Sequence, residues 1–250
     1  MLKWRVYMKY FVISDIHGQN EMFEKLLRYW DCDDEQLVLL GDYIDRGPDS
    51  LKVLQMIHDL KKKYGAIVLR GNHEDMFLTW FHEPDDPDDY YFYHFGLHTL
   101  LSFLKDSQLP KSIFLPYILS SRFVRDHIRE IYPEIIQLIE ETQLYFETNS
   151  YIFVHAGFNP YLKDWKNSTE DDFLWIRDPF IYRKNETGKI AVFGHTNTHL
   201  LHDDSENNNV WIDKWRSKVG IDGGAGVNRN LNGIVLHENG NLEDMIVYQV

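Results

Sequence analysis

The stretch AIVLRGNHED (residues 66–75) sets an apolar run, Ala66 to Leu69, just ahead of Gly71, Asn72, His73 and Glu74. An amide, an imidazole and a carboxylate in a row are poor core material at the end of a buried strand. Two upstream stretches repeat the arrangement: YFVISDIHG (10–18) and QLVLLGDYIDRG (36–47). Between them, NEMFEKLLRYW (20–30) spaces Leu26, Leu27 and Trp30 as a helix does. SLKVLQMIHDLKKKYG (50–65) carries Leu54, Ile57 and Leu60 on one stripe, with Pro48 near its start and Gly65 past its end. This β-α-β-α-β rhythm implies parallel strands packed under helices, an α/β fold.

The pattern then changes. EPDDPDD (83–89) reads as a solvated acidic turn, and residues 90–143 read as helical and rich in aromatics. There Pro133 should end or kink a helix between SRFVRDHIREI and EIIQLIEE. We read about 83–143 as a helical insertion within a single domain spanning 1–250, with its Phe and Tyr stripe as packing. After residue 144 strands return as LYFET, YIFVHAG, KIAVFGH, KVGIDGG, NGIVLHE and DMIVYQV. Their short connections suggest antiparallel neighbours. DDSENNN (203–209) reads as a loop tip.

Composition removes several classes of function. With 250 residues, 44% hydrophobic and 26% charged, the chain can bury a sizeable core. No apolar run approaches the roughly 20 residues of a membrane span. A net charge of −13 without a basic cluster argues against nucleic-acid binding. The single cysteine, Cys32, excludes a disulfide framework and fits a reducing cytoplasm. Six residues on stands Val38, not Arg, which argues against a cysteine-nucleophile phosphatase. Met8 opens MKYFVISD and is as natural a start as Met1, so residues 1–7 read as an upstream extension.

The polar residues collect where the apolar strands end. Asp15 and His17 follow the first strand; Asp42, Asp45 and Arg46 the second; Asn72 and His73 the third. His155 ends YIFV, and His195 follows IAVF. In open α/β sheets this edge is where ligands bind. Asp and Asn favour turns, and a lone His is usually structural. Five such motifs in series, each directly after an apolar strand, are poorly explained that way. Asp, Asn and His form an N/O donor set without thiolate, suited to manganese, iron or zinc. Six of these side chains, Asp15, His17, Asp42, Asn72, His155 and His195, are too many for one tetrahedral zinc and fit two ions sharing a carboxylate.

In this order, DIHG, GDYIDRG, GNHE, HAG and GHT resemble the phosphoprotein phosphatase family of calcineurin-like metallophosphoesterases, in its compact bacterial and phage form. The resemblance runs from Asp15 to about Asp222 and is weakest over the helical insertion. It implies an αββα sandwich of two mixed sheets flanked by helices. It implies two divalent metal ions, manganese first, with iron or zinc as alternatives. Asp15, His17 and Asp42 would hold the first ion. Asp42 would bridge to the second, held with Asn72, His155 and His195. His73 would be a general acid oriented by Asp45, with Arg46 and Arg177 clamping phosphate. The reaction implied is phosphomonoester hydrolysis by direct attack of a metal-bridging hydroxide, without a phosphoenzyme. Asp45 in DRG and Glu74 in GNHE resemble the Ser/Thr protein phosphatases, so the expected substrate is a phosphorylated protein or a small phosphoester. The alternatives are a symmetrical dinucleoside tetraphosphate hydrolase and, remotely, a scaffold that binds phosphorylated partners without turnover. Asn197 replaces the second His of the Gly-His-x-His seen more broadly; His199 reads as an incidental neighbour, and Asp222 as a ligand orienter or turn support. Oligomeric state is not readable.

Overall fold

The computed structural model describes residues 9–82, 90–105 and 121–250. The acidic turn at 83–89 and the start-site question lie outside them. The first half runs β1 (Lys9–Ile13), α1 (Asn20–Leu27), β2 (Glu35–Leu39), α2 (Ser50–Tyr64), β3 (Ile67–Val68) and α3 (Asn72–His82). β1, β2 and β3 are parallel, as the β-α-β rhythm requires. α2 stops at Gly65, whose φ of 73° closes the helix in a left-handed cap. Among the described residues the insertion then contributes a π-helical turn (Phe92–Gly96), α4 (Leu97–Leu104), α5 (Ser121–Ile131) and α6 (Pro133–Glu140). Pro133 starts α6 instead of kinking a longer helix, because a first-turn proline lacks only an N–H that has no partner there anyway.

The second half contains β4 (Tyr145–Glu147), β5 (Tyr151–Val154), α7 (Glu170–Trp175), β6 (Ile190–Phe193) and α8 (Thr198–His202). It ends with β7 (Trp211–Ile212), β8 (Lys218–Gly220), β9 (Asn232–His237) and β10 (Ile246–Gln249). The strands form two mixed sheets, ordered β10-β9-β1-β2-β3 and β4-β5-β6-β8-β7. The expected antiparallel pairing holds for β4–β5, β7–β8 and β9–β10. It fails for β5, β6 and β8, which are parallel. Each of those pairs is joined by a crossover carrying a short helix, α7 or α8, too brief to announce itself by periodicity.

Side-chain parity makes the layers. Phe11, Ile13, Leu37 and Leu39 face the helices and share one cluster with Phe77, Phe103, Val124 and Ile139. Tyr10, Val12, Val38 and Leu40 face the other way and meet Tyr151, Phe153, Val192 and Val219 of the second sheet. Ile152, Val154, Ala191 and Phe193 line the outer face of that sheet against Trp165, Phe173 and Phe180. Strands buried on both faces must read as continuous apolar runs, which is how YFVI, LVLL and YIFV read. Among the described residues no helix is long and apolar enough to cross a membrane.

One buried cation ties the second sheet to its outer layer. Lys218 on β8 is fully buried, and its Nζ donates to the carbonyls of Phe180 (2.7 Å), Ile181 (2.7 Å) and Arg183 (2.6 Å). Replacing it by Met leaves three carbonyls without a donor. Lys218→Met should therefore cost about 3 kcal/mol of stability, read as a lowered midpoint in thermal or urea unfolding. An unchanged midpoint would show that the turn at 180–183 holds without this anchor.

Candidate metal centre

The C-terminal ends of β1, β2, β3, β5 and β6 converge on one site. Pairing continues past the strand ends. Asp15 N–H donates to Gly41 O (3.0 Å), His17 N–H to Asp42 O (2.9 Å), and Gly194 N–H to His155 O (2.8 Å). Two bonds stitch the sheets together here: His155 Nδ1–H to Leu40 O (3.0 Å) and the His195 N–H to the Asp15 carboxylate (3.0 Å). Asp15, His17, Asp42, Asp45, Arg46 and His195 all have φ between 46° and 68°. That region disfavours residues with a Cβ and costs of order 1 kcal/mol or more at each. The surrounding contacts must therefore over-determine these turns.

The strongest such contact is the Glu74 carboxylate at the start of α3. It is completely buried. Its Oε1 accepts from Tyr43 N–H (2.8 Å) and Ile44 N–H (3.3 Å), and its Oε2 from Asp42 N–H (2.8 Å) and Gly71 N–H (3.0 Å). One side chain thus pins the loop after β2 to the loop after β3. Burial and the Asp42 charge push the Glu74 carboxyl up to about 7, against the pull of those backbone donors. Gly71 is required because a Cβ there would collide with Asp42 Oδ1 and Asp42 N.

Asp42 lies at the centre. Two groups have donor atoms within 4.8 Å of one another: His17, Asp42 and His73, and Asp42, His155 and His195. Asp42 belongs to both. All five residues are buried. His17 donates its Nδ1–H to Ile44 O (2.8 Å), which points the lone pair of Nε2 toward Asp42 Oδ2, 3.5 Å away. Asn72 Oδ1 lies 3.0 Å from His155 Nε2 and 2.9 Å from His195 Nδ1. Asp15 is buried beside them, its Oδ2 accepting from Ser14 Oγ (2.5 Å). It is outside the first three-residue group, which contains His73 in its place.

His73 is already committed elsewhere. Its Nδ1–H donates to Asp45 Oδ2 (2.7 Å), and its Nε2 accepts from Arg46 Nη2 (3.2 Å). Both nitrogens are used, so His73 has no lone pair free for an ion in this arrangement. Arg46 is exposed at the rim. Arg177 is also exposed, and its charge helps to lower the pKa of both His155 and His195. Asp222 accepts from Asn197 Nδ2 (2.5 Å) and Gly224 N–H (2.8 Å), so it supports the turn after His195. His199 belongs to neither three-residue group.

The electrostatics fit cations. Burial holds His17 down to about 3 and His195 down to about 2, and it lowers His155 as well, so all three are neutral imidazoles with lone pairs. Burial opposes the Asp42 charge, but His155, His73, His17 and His195 hold its carboxyl well below the usual carboxylate range. Burial, Asp222 and Asp42 push Asp15 up. His17 Nε2 and His195 Nε2 are buried without a hydrogen-bond partner. With its Nδ1–H given to Leu40 O, neutral His155 turns a lone pair toward Asn72 Oδ1, another acceptor. No proton lies between His155 Nε2 and Asn72 Oδ1, and a cation resolves the clash. The residues present therefore fit two ions sharing Asp42.

Comparison with known proteins agrees with this geometry. Residues 8–223 match the family model described as calcineurin-like phosphoesterase. The chain belongs to this family. Its members bind a dinuclear metal centre. Over 183 residues it is 27% identical to an asymmetrical bis(5'-nucleosyl)-tetraphosphatase of Oceanobacillus iheyensis, covering 68% of this chain and 65% of that one. Over 69 residues it is 45% identical to serine/threonine-protein phosphatase 1 of Salmonella typhimurium, covering 27% of this chain and 30% of that one. It thus spans less than two thirds of either relative. The solved structure of a Ser/Thr phosphatase from Saccharomyces cerevisiae shares the fold, with a TM-score of 0.54 and 16% identity over 97% of this chain and 79% of that one.

Sequence reasoning did not find the Glu74 clamp, the Ser14–Asp15 hydrogen bond, or the hydroxyls of Ser50, Tyr91 and Thr99 that surround Asp45. Glu74 was visible inside GNHE, but its partners are backbone groups of a distant loop. Glu74→Gln places an NH2 against two backbone donors whichever way the amide turns. It should weaken metal binding about 10–100-fold, the usual scale for residues that position ligands, and lower the melting temperature, checked by titrating Mn²⁺ into metal-stripped protein. Wild-type affinity in that variant would separate the clamp from the metal centre.

Proposed function

We propose that the chain is a metal-dependent phosphomonoesterase that acts on phosphorylated serine or threonine of proteins. The observation that carries this reading is the Asp45–His73 pair, 2.7 Å apart, beside Arg46 and next to the metal centre. A serine alkoxide is about as basic as hydroxide, whose conjugate water has a pKa of about 15.7. It departs only with a proton. A polyphosphate leaving group has no such need. An oriented acid is therefore chemistry suited to an alkyl phosphate.

When bound, two ions would supply an activated water and Lewis-acid stabilisation of the phosphoryl oxygens. Asp15, His17 and Asp42 would hold one, and Asp42, Asn72, His155 and His195 the other. The donor set suits manganese, with iron or zinc as alternatives. Arg46 and Arg177 would bind phosphate, for which a guanidinium fork is well shaped. Arg46 Nη2 now lies 3.2 Å from His73 Nε2. A phosphoryl group that draws Arg46 away frees Nε2 to take a proton. Burial pushes the His73 pKa down, but Asp42 and Asp45 outweigh it, and the value ends above that of an ordinary histidine. His73 would then hand its Nε2 proton to the leaving oxygen, while Asp45 keeps hold of Nδ1–H.

A second reading, dinucleoside tetraphosphate hydrolysis, is favoured by two exposed rings. Phe95 stands edge-on to His73 at 5.7 Å, and Trp175 edge-on to His195 at 6.0 Å, so flat surfaces flank the site on two sides. The relative from Oceanobacillus iheyensis is named for that activity. The experiment is kcat/KM with Mn²⁺ on a phosphothreonine peptide and on diadenosine tetraphosphate. We expect the peptide to be preferred by about tenfold or more, the lower part of the range a general acid supplies. A preference for the dinucleotide would replace the first reading with the second.

A further inference from the structure

We infer that Tyr91 and Thr99, both in the helical insertion, are positioning residues that aim the Asp45 carboxylate so that His73 can act as the acid. The inference rests on the acid role proposed above for His73. Asp45 has no exposure to solvent, and its two oxygens are used differently. Oδ2 takes the Nδ1–H of His73 at 2.7 Å. Oδ1 takes the Tyr91 hydroxyl at 2.7 Å and the Thr99 hydroxyl at 2.6 Å. The backbone N–H of Asp45 is bound in turn by Thr99 Oγ1 (2.8 Å) and Ser50 Oγ (3.1 Å).

The protons can be placed. Thr99 gives its single proton to Asp45 Oδ1, so the contact between Ser50 Oγ and Thr99 Oγ1 at 2.9 Å uses the Ser50 proton. Every donor around Asp45 then meets an acceptor. Asp45 itself sits at φ 68°, a backbone position that holds only when its neighbours fix it. Tyr91 and Thr99 come from 46 and 54 residues away in sequence. The insertion is thus wired into the catalytic pair.

One consequence follows from the geometry: donors on Oδ1 stop the carboxylate from turning, which keeps Oδ2 aimed at Nδ1. Tyr91 is itself rigid. Its ring packs against Phe77 at 6.0 Å and Trp80 at 5.9 Å, and a Cβ at Gly96 would collide with it. Burial, then the Asp45 charge, raises the phenol well above its ordinary pKa, so it stays a donor.

The test is dependence on the leaving group. An acid matters for an alkyl phosphate and little for 2,4-dinitrophenyl phosphate, whose phenolate leaves unaided. Wild type, Tyr91→Phe, Thr99→Val and His73→Asn are compared on a phosphoserine peptide and on 2,4-dinitrophenyl phosphate, after a melt confirms folding. The kcat ratio, peptide over aryl, should fall about 100-fold in His73→Asn, the low end for general acid catalysis. It should fall about 10-fold in Tyr91→Phe and in Thr99→Val, with KM little changed. In ring-¹⁵N-histidine-labelled protein the downfield Nδ1–H proton that disappears in His73→Asn should shift in Tyr91→Phe. If His73→Asn leaves the ratio intact, the acid role itself is wrong and this inference goes with it. If only His73→Asn lowers the ratio, or the Tyr91 and Thr99 variants slow both substrates equally with the proton unmoved, the positioning role is overturned while the acid role stands.

Discussion

Four backbone N–H groups converge on one buried carboxylate, Glu74, and the rest of the site hangs from that contact. Parallel strands bring the loops after β2 and β3 near each other but do not fix their turns. Asp42, Asp45 and Arg46 adopt left-handed φ values that side chains resist. The donors freed by these turns need acceptors, and a carboxylate with two lone-pair regions on each oxygen supplies them. Asn72 and His73 precede Glu74 on the same helix turn, so the residue that fixes the β2 loop also sets the register of two site residues. A turn strained at this many positions persists only because the contacts around it leave no alternative.

The second constraint is the sandwich. The two sheets divide the centre between them: Asp15, His17, Asp42 and Asn72 from the first, His155 and His195 from the second. The apolar layer between the sheets sets their distance, and the His155–Leu40 and His195–Asp15 hydrogen bonds set their alignment at the site. Burial then does the chemistry's groundwork. It keeps the imidazoles neutral, concentrates carboxylate charge, and leaves lone pairs of His17, His155 and His195 without proton donors. Divalent cations are the natural partner for such an arrangement.

Much of this was legible in the sequence, for reasons that can be stated. The site residues lie directly after apolar runs, so strand ends and functional groups announce each other. YFVI, LVLL and YIFV are continuous because both sheet faces are covered. The parallel pairings of β5, β6 and β8 in the second sheet were not legible. The helices α7 and α8, which carry the parallel crossovers, are six and five residues long, too short for a period to register. The support of Asp45 was equally hidden. Tyr91 and Thr99 look like ordinary members of an aromatic helical stretch, and only the packing of the insertion onto α2 and α3 brings their hydroxyls to the carboxylate. Asp222 was open between two roles, and its bonds to Asn197 and Gly224 make it a support of the turn.

The central claim is that one carboxylate, Asp42, is shared by two ions. Metal content after loading with Mn²⁺ and gel filtration tests it most directly, by mass spectrometry of the eluted protein. The account predicts two ions per chain in the wild type, one in His17→Ala, one in His155→Ala, and loss of both in Asp42→Asn. A single ion in the wild type, or an Asp42→Asn protein that keeps two, would contradict it.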